Sequence, residues 1–205
     1  NFDLFRRDTK DMLTSGSQLP ATLGANAPLQ NVADLKSTGF ELELAWRDQI
    51  GKVHYNIGFN LYDYKAYITK FKNNVAGVIR TSDNKTYVEG QRLGEIWGYE
   101  TIGIAQSDQE MAEHIGRLIN GGQSNLGQDW KAGDIMYKDL NEDGKIDAGS
   151  RTLQDHGDLK RIGNSTPRYN VGLELAADWK GFDIRMFWQG TLKRSIIVMA
   201  MENPL

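Results

Sequence analysis

The residues best suited to chemistry in this 205-residue chain lie in one acidic stretch, Asp139-Leu140-Asn141-Glu142-Asp143-Gly144-Lys145-Ile146-Asp147. Side-chain oxygens stand at its first, third, fifth and ninth positions and glycine at its sixth, the pattern of an EF-hand calcium loop. Calcium takes about six to eight hard oxygen ligands. Asp139, Asn141, Asp143 and Asp147 would offer side-chain oxygens and Lys145 its backbone carbonyl, while Ile146 packs to anchor the loop. The twelfth position, normally a bidentate Glu, is Ser150. The expectation is therefore a calcium site of low affinity or none. Three carboxylates so close together repel unless a cation or several backbone N–H groups compensate them. A metal-free acidic turn held by Asx hydrogen bonds fits the same residues.

No other cluster points to chemistry. The histidines His54, His114 and His156 have no metal-ligand spacing, and no nucleophile-elbow or phosphate-loop string occurs. No catalytic residue is assigned, and the chain is read as no enzyme. Cysteine is absent, which excludes disulfide scaffolds, thiolate zinc sites and iron–sulfur clusters. Net charge is -3, against the basic surplus of a nucleic-acid binder. Trp97, Tyr99, Trp130 and Tyr137 either stack sugar rings or pack a long loop, and packing is the preferred reading.

The elements that must carry these residues are strands. Apolar and polar residues alternate in 39–47 (GFELELAWR), 53–61 (VHYNIGFNL), 169–179 (YNVGLELAADW) and 182–188 (FDIRMFW). Phe40, Leu42, Leu44, Leu173, Leu175 and Trp179 fall on apolar faces, while Glu41, Glu43, Asn56, Asn60, Glu174 and Asp178 fall on polar ones. Strands are expected near 1–6, 39–47, 53–62, 167–179 and 182–190, with long loops over 7–38 and 62–166. Residues 48–52 and 180–181 make tight links at the opposite end. Short turns at one end and long loops at the other describe an outer-membrane barrel with periplasmic turns and extracellular loops. A soluble sandwich, with the apolar faces turned inward, shows the same period. The longest apolar run, Ile196 to Met201, is too short for a spanning helix, which does not bear on a barrel.

One loop helix is expected. Ser107 and Glu110 form a capping box, Met111, Ile115, Leu118 and Ile119 form an apolar stripe, and Gly121-Gly122 ends it. The chain opens inside a strand and stops at MENPL, which reads as a piece of a longer protein.

Four strings taken together carry a family resemblance: VADLKSTGFELELAW (32–46), EGQRLGEIWGYETIGIAQS (89–107), AGDIMYKDLNEDGKIDAGSRT (132–152) and IGNSTPRYNVGLELAADWKGFDIRMFWQG (162–190). In order and spacing they resemble the C-terminal part of SusC/RagA transporters, the TonB-dependent outer-membrane importers. The resemblance implies an all-β fold, part of a large antiparallel transmembrane barrel of ~22 strands. It further implies an N-terminal plug, TonB acting through that plug, a SusD-like surface lipoprotein as lid, and uptake of oligosaccharides, glycans or peptides. The whole chain, 1–205, would be a portion of the barrel domain in the outer membrane. The competing readings are a soluble or surface-attached calcium-dependent carbohydrate-binding β module, and a surface adhesion protein.

Overall fold

The computed structural model describes residues 1–15, 29–71, 79, 81 and 87–197. Five strands form the main sheet: β1 (Phe2–Ser15), β2 (Leu29–Ile50), β3 (Val53–Phe71), β8 (Arg168–Trp179) and β9 (Phe182–Lys193), in the order β1-β2-β3-β8-β9. All neighbours run antiparallel. Between β3 and β8 the chain builds two small two-stranded sheets. One pairs β4 (Glu95–Tyr99) with β7 (Leu159–Asn164), and the other pairs β5 (Thr101–Ile104) with β6 (Ile135–Tyr137). A helix, α1 (Asp108–Arg117), lies between β5 and β6.

Register converts the alternation into two chemically distinct faces. One row joins Leu44, Phe59, Leu173 and Trp188, and the next joins Trp46, Ile57, Leu175 and Met186. On the other face Glu43, Asn60, Gly172 and Gln189 form a row, and Arg47, Asn56, Ala176 and Arg185 another. Among the described residues the apolar rows have no protein core beneath them: Leu44, Trp46 and Trp188 keep 53%, 60% and 49% of their surface exposed. A soluble sandwich would bury this face against a second sheet. The exposed face instead belongs to a transmembrane barrel wall, and the sandwich reading falls. From the Ile50–Val53 row to the Leu4–Phe40 row the band spans eleven residues of β2, ten steps along the strand. At ~3.3 Å per residue and a tilt near 40°, that is about 25 Å, the height of a barrel's lipid-facing belt.

The strands outrun the sequence pattern. Residues 7–15 and 29–38, expected as loop, continue β1 and β2, while β3 runs on to Phe71 and β9 to Lys193. Of the expected 7–38 loop only residues 16–28 are left over, and these lie outside the described residues. Above the band the outer part of β1 is exposed on both faces, so no period-two signal marks it although backbone pairing continues, while on β3 Ala66 and Ile68 are buried. The expected 62–166 loop is likewise part strand, carrying β4 to β7. At the opposite end, Lys180 and Gly181 take φ of 50° and 86°, the doubly left-handed turn that suits a two-residue hairpin. Gly39 lies between Phe5 and Tyr64 in register, and a Cβ there would sit 2.7 Å from Phe5 Cζ and 2.8 Å from Tyr64 Cβ. The missing side chain leaves room for the Phe5 ring and for the close approach of β3.

Arg in place of Leu173 should cost about 2–4 kcal/mol of folding free energy, because it sets a charge near the bilayer midplane. Glu43→Arg, on the polar face, should cost far less. Denaturant titration of the full-length protein in lipid vesicles measures both, and equal costs would contradict the assignment of faces.

Candidate functional site

The acidic stretch folds as one closed turn. Asp139 Oδ2 accepts from Gly144 N–H at 2.8 Å and its Oδ1 from Asp143 N–H at 3.3 Å. Asn141 Oδ1 accepts from the same Asp143 N–H at 3.2 Å, and Asp143 Oδ1 accepts from Lys145 N–H at 3.1 Å. Asp147 Oδ1 accepts from Gly149 N–H at 2.8 Å. Gly144 adopts φ 82°, and a Cβ would approach Ile119 Cγ1 to 3.1 Å, so glycine is needed here for conformation and for room. Ile146 is fully buried, as its anchoring role requires.

Charge in the turn is partly offset from within. Lys145 Nζ lies 2.5 Å from Asp147 Oδ2 and 3.8 Å from Asp143 Oδ2. Its hydrogen bond, followed by that from Gly149 N–H, holds the Asp147 carboxyl below the ordinary carboxylate value. The same pair raises the Lys145 ammonium above its own. Oxygens of Asp139, Asn141, Asp143 and Asp147 are thus gathered on one turn, with an ammonium against two of them. Among the described residues, no group of three His, Cys, Asp or Glu side chains has metal-holding geometry.

One residue that the sequence reading missed closes the turn. Asp158, with 0% of its surface exposed, accepts from Leu140 N–H at 2.7 Å and from Asp147 N–H at 2.8 Å. Its own N–H donates to Asp147 O at 2.8 Å. Both ends of the stretch therefore hang on one buried carboxylate, whose pKa burial pushes up. Asp158 sits 11 residues beyond Asp147. No ligand-spacing rule reaches it.

The turn is also stapled to the segment after α1. Asn120 N–H donates to Gly144 O, and Ile146 N–H donates to Gly122 O, each at 2.8 Å. Ser107 caps α1 as expected, its Oγ accepting from Glu110 N–H at 3.2 Å, while Glu110 Oε2 accepts from Gln106 N–H. Met111 and Leu118 are buried, but Ile119 is 83% exposed, a correction to the expected stripe. The helix stops at Arg117, so Ile119 no longer follows helical spacing. His114 faces Gln123 at 3.0 Å. The loop aromatics pack the excursion together: Trp97 is buried with Ile79 and Leu159, and Tyr137 meets Tyr99 and Trp130 edge-on.

The excursion joins the barrel by taking over an edge. Above Tyr62–Asn170 the ladder between β3 and β8 ends, and residues 90–93 pair with β3 in its place. Ile68 N–H donates to Gln91 O, Gly90 N–H to Ile68 O and Leu93 N–H to Ala66 O. At the handover, Asp63 is clasped by Arg168 through Nε and Nη2 and accepts from Tyr169 N–H at 3.3 Å.

A strand ladder with one lipid-level face, tight turns at one end and a folded excursion at the other is what known proteins can be matched to. The family described as "TonB dependent receptor-like, beta-barrel" matches residues 1–195. The chain belongs to that family. Members of this TonB-dependent receptor-like barrel family are outer-membrane proteins. TonB-dependent receptor P3 of Formosa agariphila is 24% identical over 205 residues, covering 96% of this chain and 19% of that relative. The RagAB peptide transporter structure superposes with a TM-score of 0.59 at 19% identity, over 92% of this chain and 18% of that one. The RagAB peptide importer in its "open-open" state gives 0.54, also at 19% identity, over 91% and 18%. The chain spans less than one fifth of the length of these relatives.

Asp158→Ala should leave two buried N–H groups unpaired, at about 1–3 kcal/mol each. Hydrogen exchange should then show Leu140 and Asp147 amides opening faster while amides of the barrel strands keep their protection. Unchanged exchange at both amides would mean that Asp158 does not close the turn.

Proposed function

We propose that this chain is barrel wall and extracellular surface, from the C-terminal part, of a SusC/RagA-type importer. In that reading the complete protein takes up oligosaccharide, glycan or peptide nutrients across the outer membrane. TonB drives it through a plug, and a SusD-like surface lipoprotein closes the mouth. The observation that carries this is the folded excursion over 87–166, seated by backbone pairing on the rim of a family barrel. A pore wall needs only turns at its ends, whereas a docking and capture surface needs an ordered platform. Two small cores, Ile79/Trp97/Leu159 and Ala105/Met111/Met136, supply that order. The peptide arm is favoured by the RagAB likeness in fold, and the glycan arm by the wider SusC resemblance.

The experiment is uptake by cells carrying the full-length gene, compared with cells lacking it. Fluorescent oligopeptides and oligosaccharides serve as parallel substrates. Loss of accumulation of one class in the deletion strain, restored by the gene but not by a copy without residues 95–164, is the expected result. Undiminished uptake of both classes would refute an importer role.

A second reading concerns calcium. The oxygens of Asp139, Asn141, Asp143 and Asp147 favour it, since their turn resembles a calcium loop in both sequence and closure. A bound ion would have to displace the Lys145 ammonium from Asp147, which places affinity at the weak end. Titration of the full-length protein with calcium should give a Kd of roughly 10⁻⁴–10⁻³ M. Lys145→Ala should tighten it. Absence of binding by both proteins at millimolar calcium would leave the turn a purely hydrogen-bonded one.

A further inference from the structure

The polar face of the wall, which a barrel turns toward its lumen, holds a shelf of aromatic rings between charges of opposite sign. Register sets the order. Glu43 and Asn60 form one row, and Asp3, Glu41, Tyr62 and Asn170 form the next. Phe5, Gly39 and Tyr64 follow, and above them stand Arg7, Ser37 and Ala66. A recess of about 680 Å³ opens on these rows, with Asp3, Phe5, Arg7, Glu41, Tyr62 and Tyr64 on its walls. Gly39 contributes no side chain, so nothing rises between Phe5 and Tyr64. Phe5 and Tyr64 are half-buried and Tyr62 is 40% exposed, which leaves ring surface open to the recess.

The charges at the two ends of the shelf are not answered by the wall itself. Asp3 stands directly opposite Glu41 in register, and like charges so placed destabilise a sheet. Glu43 adds a third carboxylate one row below. Among the described residues no salt bridge joins Asp3, Glu41, Glu43 or Arg7 to another side chain. Arg7 lies two rows above Asp3 on β1, a rise of about 13 Å along the strand. The shelf thus attracts a cation at one end and an anion at the other.

We propose that this recess binds short peptides by both free ends, the α-ammonium against Asp3 and Glu41 and the α-carboxylate against Arg7. An extended peptide of about four residues spans the same distance. Its side chains and peptide planes lie on Phe5, Tyr62 and Tyr64, where buried apolar surface adds to the charged contacts at the ends. A guanidinium suits the carboxylate end because it offers two parallel N–H donors. A neutral oligosaccharide can stack on the rings but leaves both charged ends without a partner. Charge complementarity at peptide length therefore decides for a peptide. The inference rests on the importer reading of this barrel and narrows its substrate to peptides with unblocked termini.

The test is calorimetric titration of the full-length protein in lipid nanodiscs with the tetrapeptide Ala-Leu-Phe-Ala, its N-acetylated form and its C-terminal amide. Wild type should bind each blocked form about tenfold more weakly than the free peptide, since each block removes one charged contact. Added salt should weaken the free peptide most. R7Q should no longer distinguish the amide from the free acid while still rejecting the acetylated form. D3N/E41Q should show the reverse, and the outward-facing control K36Q should match wild type. Equal affinity of wild type for all three peptides overturns the proposal, and needs no variant to fold. Unchanged discrimination in both R7Q and D3N/E41Q overturns it too. Displacement of the tetrapeptide by a neutral tetrasaccharide at equal concentration would assign the shelf to glycans and overturn the peptide. If wild type binds no tetrapeptide while uptake of peptides still depends on the gene, the shelf falls and the importer reading stands. If uptake of neither class depends on the gene, the importer reading falls and the shelf with it.

Discussion

Hydrocarbon offers a peptide group no hydrogen-bond partner, so every N–H and C=O at the level of the bilayer must be paired within the wall. That constraint explains the unslipped register from Phe40 to Ile50 on β2 and from Val53 to Tyr62 on β3. A one-residue slip would carry Glu41, Glu43 and Arg47 into lipid. Within the band, charge on the outward face of β2 and β3 accordingly appears only near its borders, at Asp48 toward the turns and at Asp63 toward the rim. Irregularity is held to the same limit. The bulges of β1 and β2 fall near Thr9–Met12 and Asp34–Leu35, above the band.

The rim is where the ladder can change partners, and Asp63 marks the place. Below it β3 pairs with β8; above it β3 pairs with residues 90–93. Tyr169, at φ 55°, turns β8 out of the ladder, and its N–H finds Asp63 Oδ1 instead of a strand carbonyl. The Asp63–Arg168 clasp thus replaces backbone bonds lost at the handover, and both side chains are largely buried in doing so. Thr166 and Asn164 complete the seat by donating to Leu93 O at 3.1 and 3.0 Å.

Beyond the rim the excursion holds together as small satellite cores joined by polar struts, because no long apolar face is available there. The acidic turn is one such strut. Its ends hang on Asp158, its middle is stapled to Asn120 and Gly122, and Lys145 offsets its charge. Glu95 plays a comparable part between the small sheets, accepting from Trp97 Nε1 at 3.1 Å and pairing with Arg161 at 3.2 Å. An ordered surface at the barrel mouth follows from many local satisfactions rather than from one large core.

What the sequence determined by itself was whatever one residue's surroundings write into its neighbours. Alternation such as Phe40-Glu41-Leu42-Glu43 records lipid on one side and water on the other, and it located the membrane-level parts of β2, β3, β8 and β9. Ser107 with Glu110 located the start of α1, and the spacing from Asp139 to Asp147 located a closed turn, since caps and tight turns are made by residues a few positions apart. Tertiary structure alone decided the rest. The outer half of β1 is exposed on both faces and carries no alternation to read, and the burial of Ala66 and Ile68 on β3 arises only in the folded chain. Asp158 reveals its role only when folding brings it to Leu140, and the pairing of Gln91 with Ile68 depends on β8 having vacated that edge. Such contacts join positions far apart in the chain, and which edge stands free is a property of the assembled sheet rather than of any local stretch.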